Sequence, residues 1–411
     1  MPIDAARILA RCDALARHSE QPDGVTRVFL SPEQHAVSEL VLRWMGEAGM
    51  DTHVDAIGNV VGRYEGERPG LACIMLGSHL DTVRDAGKYD GILGVIGAIE
   101  CVADLHVRNV RLPFAVEVVG FADEEGVRFS STLLGSRAVA GTFDAKALDQ
   151  QDVNGIAMRD ALLQRGFDPQ RIGDAARHEG DVLAYVEFHI EQGPVLEAEG
   201  LPVGVVTAIN GGNRFGIEIS GMAGHAGTVP MALRRDAYAA AAECALAVER
   251  IARDLPEVVG TVGRVEVQPG AINVIPGKVR FSLDTRAPTD ALRADAVQRM
   301  RAEFEAIAAR RDVSLNVTPL WDARTTPCST GLQRQIAEAI HAEGVRVHHL
   351  PSGAGHDGMA MCAIAPVGML FLRCRHGISH NPAEAVSVED VATGTQVLAR
   401  FIERFTAPHR A

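Results

Sequence analysis

The chain is poor in aromatic side chains, at 5%, and its seven cysteines (Cys12, Cys73, Cys101, Cys244, Cys328, Cys362 and Cys374) form no CxxC pair. Thiols scattered in this way offer neither a thiolate metal site nor a disulfide framework. They read as buried, inert groups of a reduced, cytoplasmic protein. No stretch approaches the ~18 continuous apolar residues of a membrane-spanning helix. The N-terminal segment MPIDAARILARCDALARHSE lacks the unbroken apolar core of a secretory signal. Positive charge is also short: 40 Lys+Arg stand against 53 Asp+Glu, for a net charge of −13. That balance argues against a cationic footprint for nucleic acid and against a polybasic hold on a membrane surface.

What remains is an ordinary globular composition, with 47% apolar and 23% charged residues in 411. At roughly 100–200 residues per domain, this length predicts two or three domains. The first part alternates apolar runs with helical patterns. Ser31, Pro32 and Gln34 open a helix with a capping box, reaching about Trp44. LACIML (Leu71–Leu76) and FAVEVVGF (Phe114–Phe121) read as buried strands, and Gly91–Leu105 as a helix. Apolar strands alternating with helices predict an α/β fold, a mixed sheet in a three-layer domain.

The middle changes character. Arg214–Ser220, Gly260–Gln268, Lys278–Asp284 and Ser314–Leu320 alternate with period two, and Arg235–Arg253 and Ala291–Arg311 are helical. That order predicts an inserted α+β domain with an antiparallel sheet. The expected boundaries are 1–212 and 329–411 for a split catalytic domain and 213–328 for the insert.

Chemistry-bearing residues follow the strand signals. GSHLDTV sets His79 and Asp81 beyond LACIML, where open α/β sheets place their sites. His79 suits metal ligation, with Asp81 orienting its other ring nitrogen or a neighbouring ligand. In GKYDGILGV, Asp90 either bridges cations or caps a helix. ADEEGVRF places Glu124 and Glu125 beside Asp123. Consecutive acids belong on a solvated turn, or at a metal cluster where one binds the ion and another handles protons. In VLAYVEFHIEQGPVL, His189 is a ligand candidate with Glu191 as its supporting acid. HGISHNPAE offers His380 from a loop and a solvated His376. Together His79, Asp90, Glu125, His189 and His380 form a set for Zn, Mn, Co or Ni. With Asp90 bridging, this is a ligand set for two divalent metal ions about 3.5–4 Å apart.

HLDTV, YDGILG, DEEGVRF, HIEQGP, GHAGTVPM and GISHNPAE, in this order, resemble the zinc-peptidase-like amidohydrolases of the aminoacylase and carboxypeptidase G2 type. HIEQGP, GHAGTVPM and SGAGHDG narrow the resemblance to the hydantoinase/carbamoylase branch, over nearly the whole chain. The resemblance implies Glu124 as general base and Asp81 as an orienting group. It implies that the insert is a lid and dimerisation domain. It assigns Arg214, Asn273 and Arg286 to substrate, with Gln192, Gly355 and His356. His225 is expected to serve the oxyanion from the neighbouring subunit of a homodimer. Packing within the lid is the alternative for His225, and a salt bridge to Asp284 the alternative for Arg286. The expected reaction is hydrolysis of the ureido bond of a small carboxylate, allantoate first and an N-carbamoyl-amino acid second. Met359 and Met361 belong either to an apolar pocket or to the core. A dinuclear aminopeptidase would need an acid for a free amine, whereas Arg286 points to an anion.

Overall fold

A computed structural model describes residues 3–408. The chain forms two compact units. One comprises the chain up to Thr207, Cys328–Leu350 and the chain from Ala354 onward; the other comprises Ala208–Pro327 with Pro351–Gly353. The change of unit falls inside the Val203–Ile209 strand, a few residues before the expected boundary.

The first unit is built on a mixed sheet. Its strands run in the order Asp51–Val54, Val60–Tyr64, Ala115–Phe121, Cys73–His79, Val182–Ile190, Val367–Leu372, Val203–Ile209. The four central strands, from Ala115–Phe121 to Val367–Leu372, are parallel to one another. They are buried along nearly their whole length, as continuous apolar runs require. The outer pairings are antiparallel. Helix Ile92–Val107 packs on Cys73–His79 and Val182–Ile190, and is buried nearly all round its first turns. Ser31 caps helix Pro32–Glu47, its hydroxyl accepting the Gln34 N–H at 3.1 Å. The box is not reciprocal. Gln34 Oε1 accepts from Leu30 at 2.6 Å, and its amide donates to the Ala122 carbonyl. The side chain thus ties the helix to the end of the Ala115–Phe121 strand.

The second unit is an antiparallel sheet in the order Val265–Gln268, Lys278–Ala287, Gly211–Ser220, Ser314–Ala323. Helices Ala237–Asp254 and Asp290–Arg310 contribute to the core with Phe215, Ile217, Phe281, Leu283, Met300 and Phe304. Alternate strand residues point into that core, and those between them are half-buried or exposed. The expected strand Gly260–Gln268 is two strands, Val259–Thr261 and Val265–Gln268, both on Lys278–Ala287. Between them the Ser282 hydroxyl accepts the Arg264 N–H at 3.0 Å, replacing a ladder bond. Among the described residues, no helix is long and apolar enough to cross a membrane. All seven cysteines are free, and Cys362 alone is exposed.

Phe304 is 0% exposed. Phe304→Ala is expected to cost about 3–5 kcal/mol through lost burial and the cavity left behind. Trp44 lies in the first unit and Trp321 in the second. In a Trp44→Phe background, Trp321 emission reports the second unit, and its urea midpoint should fall. An unchanged midpoint would show that the core repacks around the lost ring.

Candidate metal centre

The central parallel strands end at one place. His79 closes Cys73–His79, and Asp123–Glu125 follow Ala115–Phe121. His189 is the penultimate residue of Val182–Ile190, and Asp90 precedes helix Ile92–Val107. His380 lies in the loop after Val367–Leu372. The Asp90 carboxylate is their common point. Its Oδ1 lies 3.6 Å from His79 Nε2 and 3.2 Å from His189 Nε2. Its Oδ2 lies 3.2 Å from His380 Nε2, which in turn is 3.4 Å from Glu125 Oε1. Two ligand sets result: an inner set of His79, Asp90 and His189, and an outer set of Asp90, Glu125 and His380. Within each, the candidate atoms lie within 4.8 Å of one another.

Main-chain oxygens fix the inner rings. His79 Nδ1 meets the Asp81 carbonyl at 3.0 Å, and His189 Nδ1 meets the Ile190 carbonyl at 2.8 Å. A proton on Nδ1 leaves each Nε2 lone pair facing Asp90. The Asp81 carboxylate stands behind its main-chain carbonyl, with Oδ1 3.6 Å from His79 Nδ1, and has a second task. It accepts the N–H groups of Glu124 at 3.0 Å and Glu125 at 3.1 Å, clamping the backbone that carries both acids. Asp90 is not a helix cap: Gly91 occupies that position, with φ +74°. A Cβ on Gly91 would come within 2.6 Å of the His79 ring, so both φ and space demand glycine.

The acids are not a solvated turn. Asp123 is 1% and Glu124 9% exposed. Burial and the adjacent Glu125 push the Glu124 carboxyl well above its ordinary range. Burial raises Glu125 to about 7, with Asp90 adding and His79 opposing. Burial also opposes charge on Asp90, but its contacts with His189, His380 and His79 prevail and hold it well below the carboxylate range. Burial disfavours a proton on His79, yet Asp81 and Asp90 outweigh it and raise its pKa. Anions that retain a proton on an imidazole equally favour a metal cation in its place. Among the described residues, no Lys or Arg pairs with Asp90, Glu124 or Glu125. His189 Nε2 is buried without a hydrogen-bond partner. Imidazole lone pairs and buried carboxylates without a cationic partner are a donor set that fits divalent ions.

Other expectations change. Glu191 does not support His189; it accepts the Val195 and Leu196 N–H groups at 2.7 and 2.9 Å, where the chain turns into a short helix. Besides Asp90, the acid grouped with His189 is Glu187, which accepts from Ser78, Tyr185 and the Gly358 N–H. His356, expected to line the pocket, is 1% exposed and stacks edge-on against His189 at 4.6 Å. Burial, with His189 beside it, keeps that ring neutral. Gly355 is exposed and borders Glu124: a Cβ there would lie 3.6 Å from Oε1. Met361 is core, while the Met359 sulfur lies beside Gly355. Gln192 Nε2 donates to Asp90 Oδ2 at 2.8 Å, which puts it beside the outer set. His376 is exposed, as expected of a solvated histidine. Sequence reasoning missed Glu187, Ser379 and Glu384, although GISHNPAE contains the last two.

The remaining expected residues belong to the second unit. His225 is exposed, with Nδ1 accepting the Gly227 N–H at 3.0 Å. Its strand pairs with Val274–Ile275, and Ala226 N–H donates to the Asn273 carbonyl, so His225 and Asn273 are neighbours. Arg286 does make the salt bridge to Asp284, at 2.9 and 3.2 Å, and Arg214 shares that carboxylate at 2.8 Å.

Asp81→Asn would present an amide where two N–H groups require an acceptor. Metal affinity is expected to fall roughly 10–100-fold, read by competition with a coloured chelator. Unchanged affinity would show that the Glu124–Glu125 turn holds its shape without the clamp.

The profile of peptidase family M20/M25/M40 matches residues 75–404. An N-carbamoyl-L-amino acid amidohydrolase of Geobacillus stearothermophilus is 43% identical over 397 residues, covering 96% of this chain and 97% of the relative. A probable allantoate deiminase of Oryza sativa subsp. japonica is 40% identical over 427 residues, covering 96% and 87%. A hydantoinase/carbamoylase family amidase from Burkholderia multivorans superposes with a TM-score of 0.92 at 34% identity, covering 98% of this chain and 97% of that one. With the ligand sets at the strand ends, these matches mean that the chain belongs to peptidase family M20/M25/M40, metal-dependent hydrolases, and to their hydantoinase/carbamoylase branch.

Proposed function

We propose that this protein hydrolyses the ureido C–N bond of a small carboxylate, using two divalent ions held by His79, Asp90 and His189 and by Asp90, Glu125 and His380. The observation that carries the reading is the division of Asp90: Oδ1 faces one pair of ligands and Oδ2 the other. Bound divalent ions, whether Zn, Mn, Co or Ni, supply positive charge that polarises a carbonyl and lowers the pKa of water toward neutrality. Glu124 takes a proton from the attacking water. Its buried carboxylate, grouped with His79 and Glu125, suits both accepting that proton and returning it. Water oxygen bonds to the ureido carbon, the C–N bond breaks, and Glu124 returns the proton to the departing nitrogen. Ammonia leaves, and the carbamate then decomposes to carbon dioxide and an amine.

Recognition falls to the second unit, read as the lid and dimerisation domain of a homodimer. Arg286 and Arg214 share one carboxylate, which leaves a net positive charge suited to a substrate carboxylate. Asn273 can donate to and accept from the ureido group. His225, acting from the partner subunit, donates to the developing oxyanion, and Gln192 contributes from the first unit. The relatives divide between two substrates, N-carbamoyl-L-amino acids and allantoate. Both carry the carboxylate and ureido group that these residues address.

Ammonia release from allantoate, N-carbamoyl-methionine and N-carbamoyl-β-alanine, with new α-amine measured for a dipeptide, on stripped protein resupplied with Mn, Co, Ni or Zn, decides between them. Turnover of the dipeptide alone would overturn the reading. Glu124→Gln is expected to lower kcat roughly 10²–10⁴-fold with metal content unchanged. Loss of metal in that variant would make Glu124 a ligand instead.

A further inference from the structure

The inner and outer ligand sets are held in different ways. His79 and His189 are strand residues whose rings are fixed by carbonyls, so the sheet sets the inner geometry. The outer set joins Asp90 to the loop residue His380, whose backbone has φ +54° and whose side chain is 49% exposed. The sheet does not fix one against the other.

One buried carboxylate does. Glu384 is 4% exposed. Its Oε1 accepts the N–H groups of Tyr89 at 2.7 Å and Asp90 at 3.2 Å. Its Oε2 lies 3.0 Å from the Ser379 hydroxyl, which lies 2.6 Å from Asp90 Oδ2. The hydroxyl has one proton and two carboxylate acceptors. Turned toward Glu384, it frees a lone pair of Oδ2. The fit is close: a Cβ on Gly87 would fall 2.3 Å from the Glu384 Cβ. Glu384 therefore fastens the loop that delivers Asp90 to the loop that delivers His380.

We propose that Glu384 and Ser379 are positioning residues that hold Asp90 Oδ2 against Glu125 and His380, so that the outer cation alone depends on them. This rests on the two-ion reading above. Groups that support a ligating carboxylate govern metal affinity without touching the metal. Here the support reaches the Oδ2 side of the carboxylate through Ser379, while the carbonyl-fixed imidazoles of the inner set keep their own anchors.

The test is cobalt titration of chelator-stripped protein, read by visible absorption and by metal content after gel filtration, with circular dichroism to check folding. Unchanged protein should take up two equivalents. Glu384→Ala should bind the first equivalent as before and the second roughly 10–100-fold more weakly. Glu384→Gln, whose amide oxygen still accepts from Tyr89 and Asp90 but whose NH2 turns the Ser379 hydroxyl onto Asp90 Oδ2, should also leave the second equivalent weakened. Ser379→Ala leaves both backbone contacts in place and should weaken only the second equivalent. If both equivalents weaken together in Glu384→Ala and Ser379→Ala, or neither changes, the positioning role is wrong while the two-ion reading stands. If unchanged protein saturates at one equivalent, both fall.

Discussion

A buried carboxylate faced by imidazoles on either side is the constraint around which the first unit is arranged. Asp90 is 3% exposed, and its two oxygens turn to different partners. A lone buried anion would cost several kcal/mol and would take up a proton instead. The surrounding histidines keep this one ionised. Its position therefore had to be specified from several directions. Gly91 gives the His79 ring room, Glu384 holds the Asp90 N–H, and Gln192 and Ser379 reach Oδ2. They come from three connections at the same end of the sheet, which explains why a parallel sheet with buried strands serves as the scaffold. Its strand ends lie close together, and the loops beyond them carry the polar groups that the sheet interior excludes.

The surrounding acids follow the same electrostatics. Asp123 and Asp357 are fully buried, and burial drives both well above the carboxylate range, reinforced at Asp123 by Asp81 and at Asp357 by Glu187. Carboxylates packed this closely cannot all remain ionised without cationic compensation. The fold supplies imidazoles, whose charge depends on protonation, rather than guanidinium groups, whose charge is permanent. A permanent cation would cancel the field that attracts a metal ion; a histidine exchanges its proton for one.

The strands were legible because their apolar runs are continuous, as in Cys73–His79 and Ala115–Phe121, and a run of that kind has few alternatives in an α/β layer. The motif residues His79, Asp90, Glu125, His189 and His380 were legible as a group because most stand at strand signals and the rest at a helix start or in a small-residue loop. Direction within a motif was not legible. Residues 187, 189 and 191 share a parity, so the period-two rule names both Glu187 and Glu191 as neighbours of His189. The turn at Gln192, with φ +57°, draws Glu191 into capping a helix instead. Asp81 carried a similar ambiguity: in the folded chain its carbonyl meets His79 Nδ1 at 3.0 Å, with its carboxylate 3.6 Å from the same nitrogen. Glu384 was invisible for a simpler reason. Its partners Tyr89 and Asp90 lie 295 and 294 residues away along the chain, and a backbone N–H leaves no mark on a sequence.

The second unit resolves its charges in the opposite sense. Arg214 and Arg286 converge on Asp284 from adjacent strands, and the register sets Arg214 directly across from Asp284. Burial tends to raise the Asp284 pKa, but the two guanidinium groups prevail and keep it ionised. One carboxylate neutralises one of them. The structural salt bridge and an anion-binding role were posed as alternatives for Arg286, yet with a second arginine present they are compatible. The bridge fixes the guanidinium in place, a backbone carbonyl at Gly353 accepts another of its N–H groups, and a positive charge is left over. The first unit thus carries surplus negative charge at its strand ends, and the second carries one excess positive charge where Arg214 and Arg286 share Asp284. A cation answers the first charge and an anion the second.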